Sequence, residues 1–442
     1  CIIMNPNSGE IYAMASTPAF DLNNPRDLSS FYTQEELALM DDEEKLEALN
    51  QIWRNFCISD TYEPGSTTKP FTVAAAIECG AITGNESYNC TGMLHVGDHD
   101  IHCHQRLGDG MLTVQQGIMK SCNVVLMDIA FAMGKEQWLK YNRMFNFGLK
   151  TNIDLKGEVN AANLVFDEGM GQTDLAISSF GQGFNATMIQ QAVGFCSLIN
   201  GGYYYQPRMV SRILNSEGAV MEDIDARVLK QTISNQTSDK IREMCNTVVM
   251  SGKEGTGWTA RPAGYTMGGK TGTAEKYPRN KKNYVVSFAG YVPADDPQVF
   301  IYVVIDEPNV PQQDNARFAT LLVKDIMTEV LPYMNIFMTE SLSEEEREEL
   351  AEKERQFSIG SHTVSGNSVS GNSLSMNGVS ENSVSGNEVN DEKEDGESAE
   401  ETVSKNEIQY DPETGFPIDP NTGEVLDPET GYPIDGNTSF MN

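Results

Sequence analysis

Apolar runs with the short spacing of β-strands occur near both ends of the first three quarters of the chain. At the start, the pattern predicts a hairpin, with strands at 1–4 and 11–15 joined by a turn at 5–9. Later, turn signals separate three runs that predict adjacent antiparallel strands at 265–267, 284–291 and 299–305. A sheet assembled from two ends of a chain, with helices between them, is an α+β arrangement.

Between these strands, apolar positions recur with the period of an α-helix. The pattern predicts helices at 34–56, 112–134, 138–147, 188–200 and near 315–335. A further helix is expected to begin near Ser66 and to run through Ile77. Pro70 lies in its first turn, where a missing N–H is tolerated.

The amino-acid composition of the chain changes near residue 339. VSGNS-like units repeat from 364 through 388, and an eight-residue unit later opens at Asp411, Asp419, Asp427 and Asp435. Such polar segments bury too little apolar surface to offset the entropy lost on ordering. We therefore expect a globular domain at 1–338 and an acidic, low-complexity, disordered tail at 339–442, with a charged helix near 343–356. A calcium-binding repeat is less favoured, because the units lack the glycine-rich nonapeptide pattern.

The net charge of −33 is distributed unevenly. The expected tail holds 25 of the 64 acidic residues but only 5 of the 31 basic ones, so the globular part is mildly acidic. Without a basic face, nucleic acid is excluded as a partner. No apolar run reaches the roughly 18 residues that span a bilayer, and no signal peptide is recognisable. Because a strand already starts at Cys1, we expect a fragment that lacks its N-terminal anchor, and we favour this over a lipidated Cys1.

The segment EPGSTTK at 63–69 is the first candidate for a catalytic site. It places Ser66 at a turn-to-helix junction and Lys69 three residues later, on the same helix face. A free serine needs an adjacent base, and a lysine with a depressed pKa can serve. The helix N-terminus adds N–H groups suited to an oxyanion. Alone the motif is weak evidence, since an N-capping serine with a solvated lysine has the same spacing.

Two further motifs strengthen the case for a nucleophilic site. Ser121 and Asn123 lie in the helical region and can both face a cleft if their segment is a loop between helices. The sequence KTGT at 270–273 lies on the first strand of the C-terminal group. There Lys270 offers a fixed positive charge, and Gly272 lets a substrate approach the strand closely. An extended peptide can pair with the edge of such a strand.

These motifs occur in the order and spacing of class A β-lactamases and penicillin-binding proteins. The segments 5–18, 180–183 (FGQG) and 287–291 (SFAGY) add to the match, which extends over most of 1–335. The chain resembles a class B (monofunctional) penicillin-binding protein in its transpeptidase domain. The resemblance implies a penicillin-binding transpeptidase or serine β-lactamase-like fold. We thus expect a mainly antiparallel sheet flanked by helices, plus a helical subdomain, with the active site in the cleft between them.

The resemblance also implies four catalytic residues. Ser66 attacks the penultimate D-alanine carbonyl of a peptidoglycan stem peptide and releases the terminal D-alanine. Lys69 is the general base, Ser121 relays protons toward the leaving group, and Lys270 tunes the electric field around Ser121. The identity of the acylation base is disputed for this superfamily, so the role of Lys69 is a hypothesis.

Substrate binding is implied for a second group of residues. Asn123 binds the peptide amide, and Thr271 and Thr273, on either side of Gly272, hold the substrate carboxylate. The N–H groups of Ser66 and Thr273 form the oxyanion hole. The reaction requires no cofactor, and no residue is assigned to a metal.

By the same resemblance, the protein is a peptidoglycan D,D-transpeptidase that penicillins and other β-lactam antibiotics inhibit. It is expected at the extracytoplasmic face of the bacterial cytoplasmic membrane, beside a membrane glycan polymerase. A D,D-carboxypeptidase or a serine β-lactamase would share the motifs. The latter needs a base that activates water, and Glu158 suits a structural role better. A non-catalytic penicillin sensor or division scaffold is the alternative outside enzymes, and the intact motifs argue against it.

One segment suggests a different chemistry. Four of the five histidines lie between 95 and 104, close to Cys90 and Cys103. Cysteine and histidine are the ligands that zinc prefers, but the spacing matches no standard finger. A disulfide between Cys90 and Cys103 on an extracytoplasmic loop, or a polar hairpin with two free thiols, is favoured over zinc. Cys122 receives no role, because a small buried hydrophobe suits its position equally well.

Overall fold

The computed structural model describes residues 1–360. Thirteen strands occur in this part of the chain, and most of them are short. In chain order they are β1 (Ile2–Met4), β2 (Ile11–Met14), β3 (Ser87–Cys90), β4 (Met93–Val96), β5 (His99–His102), β6 (Gly110–Thr113), β7 (Tyr203–Tyr205), β8 (Arg212–Leu214), β9 (Val220–Asp223), β10 (Val228–Gln231), β11 (Gly268–Glu275), β12 (Tyr284–Val292) and β13 (Val299–Asp306).

Twelve α-helices lie between and after these strands in the described residues. They are α1 (Gln34–Leu39), α2 (Asp42–Ile52), α3 (Phe56–Ser59), α4 (Lys69–Glu78), α5 (Val114–Met119), α6 (Asn123–Met133), α7 (Lys135–Met144), α8 (Gln172–Ser178), α9 (Met188–Ile199), α10 (Asn235–Met250), α11 (Arg317–Tyr333) and α12 (Glu344–Gly360). No helix in this part of the chain is long and apolar enough to cross a membrane.

The central element is a five-stranded antiparallel sheet in the order β11-β12-β13-β1-β2. The first strand of the chain lies between the last strand and β2, with Ile3 opposite Ile301 on one side and Ala13 on the other. The sheet is therefore built from both ends of the chain, as predicted. In β12, every residue after the first is buried, because helices cover the sheet.

The first C-terminal strand begins later than predicted. Residues 265–267 precede β11 and are not part of it. Their apolar character has another cause: Tyr265 and Met267 are buried, and the Tyr265 hydroxyl donates a hydrogen bond to the Ile336 carbonyl at 2.8 Å. The run is apolar because it packs in the core rather than because it pairs with β12.

Helices form the remainder of the core. All twelve residues of α9 are buried, and this helix contacts β1 and β13. Helix α11 packs on β12 and β13. Helix α4 contacts α6, α7, α9 and α10, so the segment that begins with Lys69 is enclosed by the helical part of the molecule. The expected antiparallel sheet flanked by helices is confirmed.

The described structure continues beyond residue 338. Helix α12 follows, and Glu346 pairs with Arg261 at 3.1 Å while Glu349 pairs with Lys324 at 2.7 Å. The charged helix expected at 343–356 is therefore present, but ion pairs hold its first half against the rest of the molecule. The repeats predicted to form a tail, at 364–388 and after 410, lie outside the described residues.

Candidate active site

The candidate nucleophile lies in a short turn pressed against the edge strand of the sheet. A 3₁₀-helix at Gly65–Thr68 contains Ser66 and continues into α4. Gly65 has φ +58°, and a Cβ there would lie 2.6 Å from the Thr273 carbonyl oxygen. Its N–H donates to the Gly181 carbonyl at 2.9 Å. Glycine at 65 therefore lets the turn approach β11, as a larger residue could not.

The Ser66 side chain is partly exposed, and its hydroxyl has no hydrogen-bond partner among the described residues. Its backbone lies in the first turn of a helix, where N–H groups have no partner within the helix. An exposed hydroxyl next to free N–H groups is the arrangement that a nucleophile and its oxyanion site need.

Lys69 is fully buried one turn after Ser66, and its ammonium group has three oxygen partners. It donates to the Ser121 hydroxyl at 3.0 Å, to the Asn123 side-chain oxygen at 2.8 Å, and to the Ser121 carbonyl. Three partners use all the donors of a charged lysine. No carboxylate in the described part of the chain forms an ion pair with it, and the three oxygens that accept its hydrogen bonds belong to neutral groups.

Ser121 occupies a break between α5 and α6. It has φ +58°, a left-handed conformation that is uncommon for serine. The predicted helix at 112–134 is therefore divided: 110–113 form β6, and two helices meet at this residue. The break turns both the hydroxyl and the carbonyl of Ser121 toward Lys69, which is the contact that a continuous helix would not allow.

Asn123 begins α6 and links three parts of the site. Its side-chain oxygen accepts from Lys69, and its side-chain amide donates to the His102 carbonyl at 3.0 Å. Its backbone N–H donates to the Cys103 sulfur at 3.4 Å. The predicted contact with a substrate amide stays a prediction, and Asn123 also connects the end of β5 to Lys69.

Lys270 approaches the same serine from the sheet. It is fully buried on β11, and its ammonium donates to the Ser121 hydroxyl at 2.9 Å. It also donates to the carbonyl of Thr271 at 3.2 Å. One hydroxyl thus accepts hydrogen bonds from two buried lysines, one from the helical part and one from the sheet.

Burial governs the titration of both lysines. It lowers the pKa of the Lys69 ammonium to about 8. Burial also lowers the pKa of Lys270 well below its usual value, and the nearby positive charge of Lys69 adds to the effect. A lysine that loses its proton near neutral pH can act as a general base.

The Ser121 hydroxyl is the one partner of Lys69 that can reverse its hydrogen bond. When Lys69 is charged, the hydroxyl accepts from both lysines and its own proton is free for a third group. When Lys69 is neutral, the hydroxyl can donate to the amine lone pair while it still accepts from Lys270. The carbonyl oxygen of Ser121 and the side-chain oxygen of Asn123 can only accept. The arrangement can therefore move one proton through Ser121.

The KTGT strand lies at the edge of the sheet, because β11 pairs with β12 alone within it. The outer edge of β11 has no partner strand in the sheet, and pairing of an extended peptide with this edge stays a prediction. Thr271 is nearly buried and donates to the Thr256 hydroxyl at 2.9 Å, whereas Thr273 is partly exposed. Thr256 carries no signal in the sequence and is an addition to the predicted set.

Gly272 also has a packing role that the sequence does not predict. A Cβ at this position would lie 2.3 Å from the Ser287 hydroxyl oxygen and 2.9 Å from a methyl carbon of Thr67. Both contacts are internal to the protein. Glycine at 272 is therefore required so that β11 can pack between β12 and the nucleophile turn, and the close approach of a substrate at this position stays a prediction.

In the cysteine-rich segment, the structure has free thiols, which is one of the two favoured alternatives. All eight cysteines are free thiols, so no disulfide joins Cys90 and Cys103. The four nearby histidines are exposed, whereas both thiols are buried. The Cys103 sulfur lies 3.9 Å from that of Cys122, a residue to which the sequence assigned no role.

Glu158 holds a turn, as expected for a structural residue. Its carboxylate accepts from the N–H of Thr151 at 2.5 Å, from the Thr151 hydroxyl at 2.7 Å and from the N–H of Asn152 at 3.2 Å. These bonds engage both of its oxygens.

Comparison with known proteins agrees with the family resemblance found in the sequence. The family model described as the penicillin binding protein transpeptidase domain matches residues 1–328. The stage V sporulation protein D of Bacillus subtilis is 35% identical over 341 residues, which cover 76% of this chain and 49% of that protein. The peptidoglycan D,D-transpeptidase FtsI of Buchnera aphidicola is 28% identical over 341 residues, which cover 76% of this chain and 54% of that protein. The chain spans about half the length of these relatives.

Solved structures agree on the fold. The TP domain of Burkholderia pseudomallei penicillin-binding protein 3 superposes with a TM-score of 0.61 at 22% sequence identity. The superposition covers 77% of this chain and 89% of that one. At this identity the likeness concerns the fold, and it confirms the expected fold class.

Proposed function

The chain belongs to the penicillin-binding protein transpeptidase domain family, and from this premise we propose that it is a peptidoglycan D,D-transpeptidase. It cross-links stem peptides through an acyl-enzyme on Ser66, and penicillins inhibit it by forming the same ester. The observation that carries the proposal is the Ser121 hydroxyl, which accepts from two fully buried lysines at 3.0 Å and 2.9 Å, one of which, Lys69, follows Ser66 by one helical turn.

Acylation begins when Lys69, as the neutral amine, takes the Ser66 proton. The Ser66 oxygen then bonds to the carbonyl carbon of the penultimate D-alanine. The N–H groups of Ser66 and Thr273 stabilise the resulting oxyanion. As the carbon–nitrogen bond to the terminal D-alanine breaks, the leaving nitrogen receives a proton through the Ser121 hydroxyl, which Lys69 replenishes. The products are a Ser66 ester and free D-alanine.

The second half-reaction reverses these proton movements. The amine of a neighbouring stem peptide attacks the ester carbon and gives a proton to the lysine–serine pair. A new amide bond forms, the ester bond breaks, and the Ser66 oxygen regains its proton. Lys270 acts by holding Ser121 and by its positive charge, which favours negative charge developing on the Ser121 oxygen.

Substrate binding uses the free edge of β11. The stem peptide lies extended beside this strand, with its terminal carboxylate at the hydroxyls of Thr271 and Thr273. Asn123 binds a peptide amide of the same substrate. The edge position of β11 supports this mode, because an added strand needs unpaired backbone groups.

The proposed setting follows from the substrate. Peptidoglycan is assembled outside the bacterial cytoplasmic membrane, so we place the domain at its extracytoplasmic face. A membrane glycan polymerase is the proposed partner, since cross-linking needs newly made glycan strands.

Labelling with a fluorescent penicillin tests the proposal. The parent chain and Ser66→Ala are incubated with label, freed of excess label, and followed over hours on a denaturing gel. A label on the parent alone that persists for hours supports a transpeptidase acyl-enzyme on Ser66. The thermal unfolding of both proteins is measured in parallel, so that an unfolded variant is not mistaken for an inactive one.

Other outcomes would overturn the proposal in different ways. Label lost within seconds indicates a β-lactamase. Label retained by Ser66→Ala assigns the nucleophile elsewhere, and no label on a folded parent indicates a non-catalytic domain. Release of D-alanine from a stem-peptide mimic without cross-linked product, in the presence of an acceptor amine, indicates a carboxypeptidase.

A further inference from the structure

Three thiols and one carboxylate meet beneath the loop between α5 and α6. The sulfur atoms of Cys90, Cys103 and Cys122 and a carboxylate oxygen of Asp109 all lie within 4.8 Å of one another. The three cysteines are each no more than 2% exposed. We propose that these four residues bind a thiophilic divalent metal ion, with zinc as the expected occupant. The proposal does not depend on the function proposed above.

Asp109 supplies the first independent observation. Its Oδ2 atom is buried and has no hydrogen-bond partner in the described part of the chain. Its Oδ1 atom lies 3.5 Å from the Lys120 ammonium. A carboxylate oxygen withdrawn from water without a partner is costly, and such an atom in a native protein calls for an explanation. A cation held by the neighbouring sulfurs would give Oδ2 the partner it lacks.

The spacing of the sulfur atoms fits metal ligands better than a disulfide. The Cys103 and Cys122 sulfurs are 3.9 Å apart. Zinc–sulfur bonds of about 2.3 Å in a tetrahedron put sulfur atoms about 3.8 Å apart. A disulfide needs about 2.05 Å. The observed distance therefore matches two ligands of one tetrahedral ion.

Two glycines fold the chain so that the ligands converge. Gly92 and Gly108 have φ +85° and +82°, and a Cβ at Gly108 would lie 2.3 Å from the Cys90 carbonyl oxygen. The Cys103 N–H donates to the Gly92 carbonyl at 2.9 Å. The loops after Cys90 and before Asp109 therefore pack backbone against backbone. Only glycine permits this approach in a left-handed conformation.

The environment of Cys103 also suits a metal-bound thiolate. The Asn123 N–H donates to its sulfur at 3.4 Å, and N–H groups directed at ligand sulfurs are a usual feature of thiolate metal sites. His104 is the nearest alternative ligand, with Nδ1 3.7 Å from the same sulfur, but its side chain is exposed. Asp109, with its buried and unpartnered oxygen, is the better fourth ligand.

The ligand chemistry selects the kind of ion. Thiolates favour zinc over magnesium or calcium, which prefer oxygen ligands. Each bound cysteine releases its proton to solvent, and three thiolates with one carboxylate leave the occupied site with a net charge of about −2. Four protein ligands leave no open position, which is typical of a structural site. The ion would join the paired strands β3 and β6 to the loop that carries Ser121.

Metal content of the full chain provides the test. The protein is purified without chelators in a non-thiol reductant, incubated with zinc, freed of unbound metal and analysed by mass spectrometry. About one equivalent is expected in the parent, as for a closed structural site. Cys90→Ser and Asp109→Ala should bind zinc at least about tenfold more weakly in competition with a chromogenic chelator. Cys245→Ser, which removes a buried thiol outside the group, is the matched control and should retain parental affinity.

Cobalt substitution keeps the proposal testable if a ligand variant does not fold. The cobalt-loaded parent should show intense thiolate-to-metal absorption together with the visible bands of a tetrahedral ion. Less than about one-tenth equivalent of zinc in the reduced, reconstituted parent, without these bands, would overturn the proposal. A Cys103–Cys122 disulfide that persists under these reducing conditions would overturn it as well. If His104→Ala loses the metal and Asp109→Ala keeps it, the assignment of the fourth ligand is wrong.

Discussion

Replacing Ser121 by alanine should change both the rate and the pH profile of acylation. The parent rate is expected to rise with pH through about 8, because Lys69 must lose its proton to act as a base. The substitution removes the hydroxyl that accepts from charged Lys69 at 3.0 Å. A hydrogen bond to a charged group contributes about 1.5–3 kcal/mol, so the charged form of Lys69 is destabilised.

The neutral form of Lys69 loses a smaller contribution. Its bond from the serine hydroxyl joins two neutral groups and contributes about 0.5–1.5 kcal/mol. At the midpoints of these ranges the difference is about 1.25 kcal/mol, which corresponds to roughly one pKa unit. The midpoint of the profile should thus move from about 8 to about 7. The plateau should fall by about 10²–10⁴, because the proton relay is lost.

Stopped-flow acylation by a chromogenic β-lactam between pH 6 and pH 10 measures both effects. Ser59→Ala is the matched control, since it removes a serine hydroxyl that donates to the Gly157 carbonyl at 2.9 Å, away from both lysines. Its profile should coincide with that of the parent. A lower plateau with an unmoved midpoint would refute the reasoning, because Lys69 would then not be the group whose titration limits acylation. A plateau within about threefold of the parent would exclude the relay.

Three further results are expected. Ser66→Ala should abolish covalent labelling. It should change the free energy of unfolding by no more than about 0.5 kcal/mol, because the Ser66 hydroxyl has no hydrogen-bond partner among the described residues. A larger loss of stability in urea unfolding would contradict this. Lys69→Ala should slow acylation about 10²–10⁴-fold, and a loss below tenfold would remove it as the base. Gly272→Ala should cost about 1–3 kcal/mol of stability through its 2.3 Å contact with the Ser287 oxygen. Adding Ser287→Ala to Gly272→Ala should restore part of the lost stability. If no stability is recovered, this contact is not the cause of the loss.

Sequence patterns predict the sheet well because its central strands are buried on both faces. The apolar runs at 284–291 and 299–305 correspond to β12 and β13, and the turn at 5–9 joins β1 to β2. The same criterion fails at 265–267, where side chains are apolar but the backbone does not pair. Burial of a segment is visible in the sequence as a run of apolar residues, whereas the hydrogen-bond partner of a backbone group is not visible there.

The break between helices α5 and α6 at Ser121 cannot be predicted from the local sequence pattern. The residues at 112–134 have helical periodicity, and serine gives no local signal for the left-handed conformation that divides them. The contacts that accompany this conformation come from Lys69 and Lys270, which lie far away in the sequence. Motif spacing predicts that these groups meet, and the structure supplies the backbone geometry by which they do.

Residues 121–123 take part in two different clusters of side chains, and the sequence alone does not distinguish the two. Ser121 and Asn123 contact Lys69, while the intervening Cys122 contacts Cys103. As a single residue, Cys122 has the properties of any small buried hydrophobe, and only its neighbours in space distinguish it. The backbone conformation that presents the Ser121 hydroxyl to both lysines and the contact between Cys122 and Cys103 therefore share one three-residue segment.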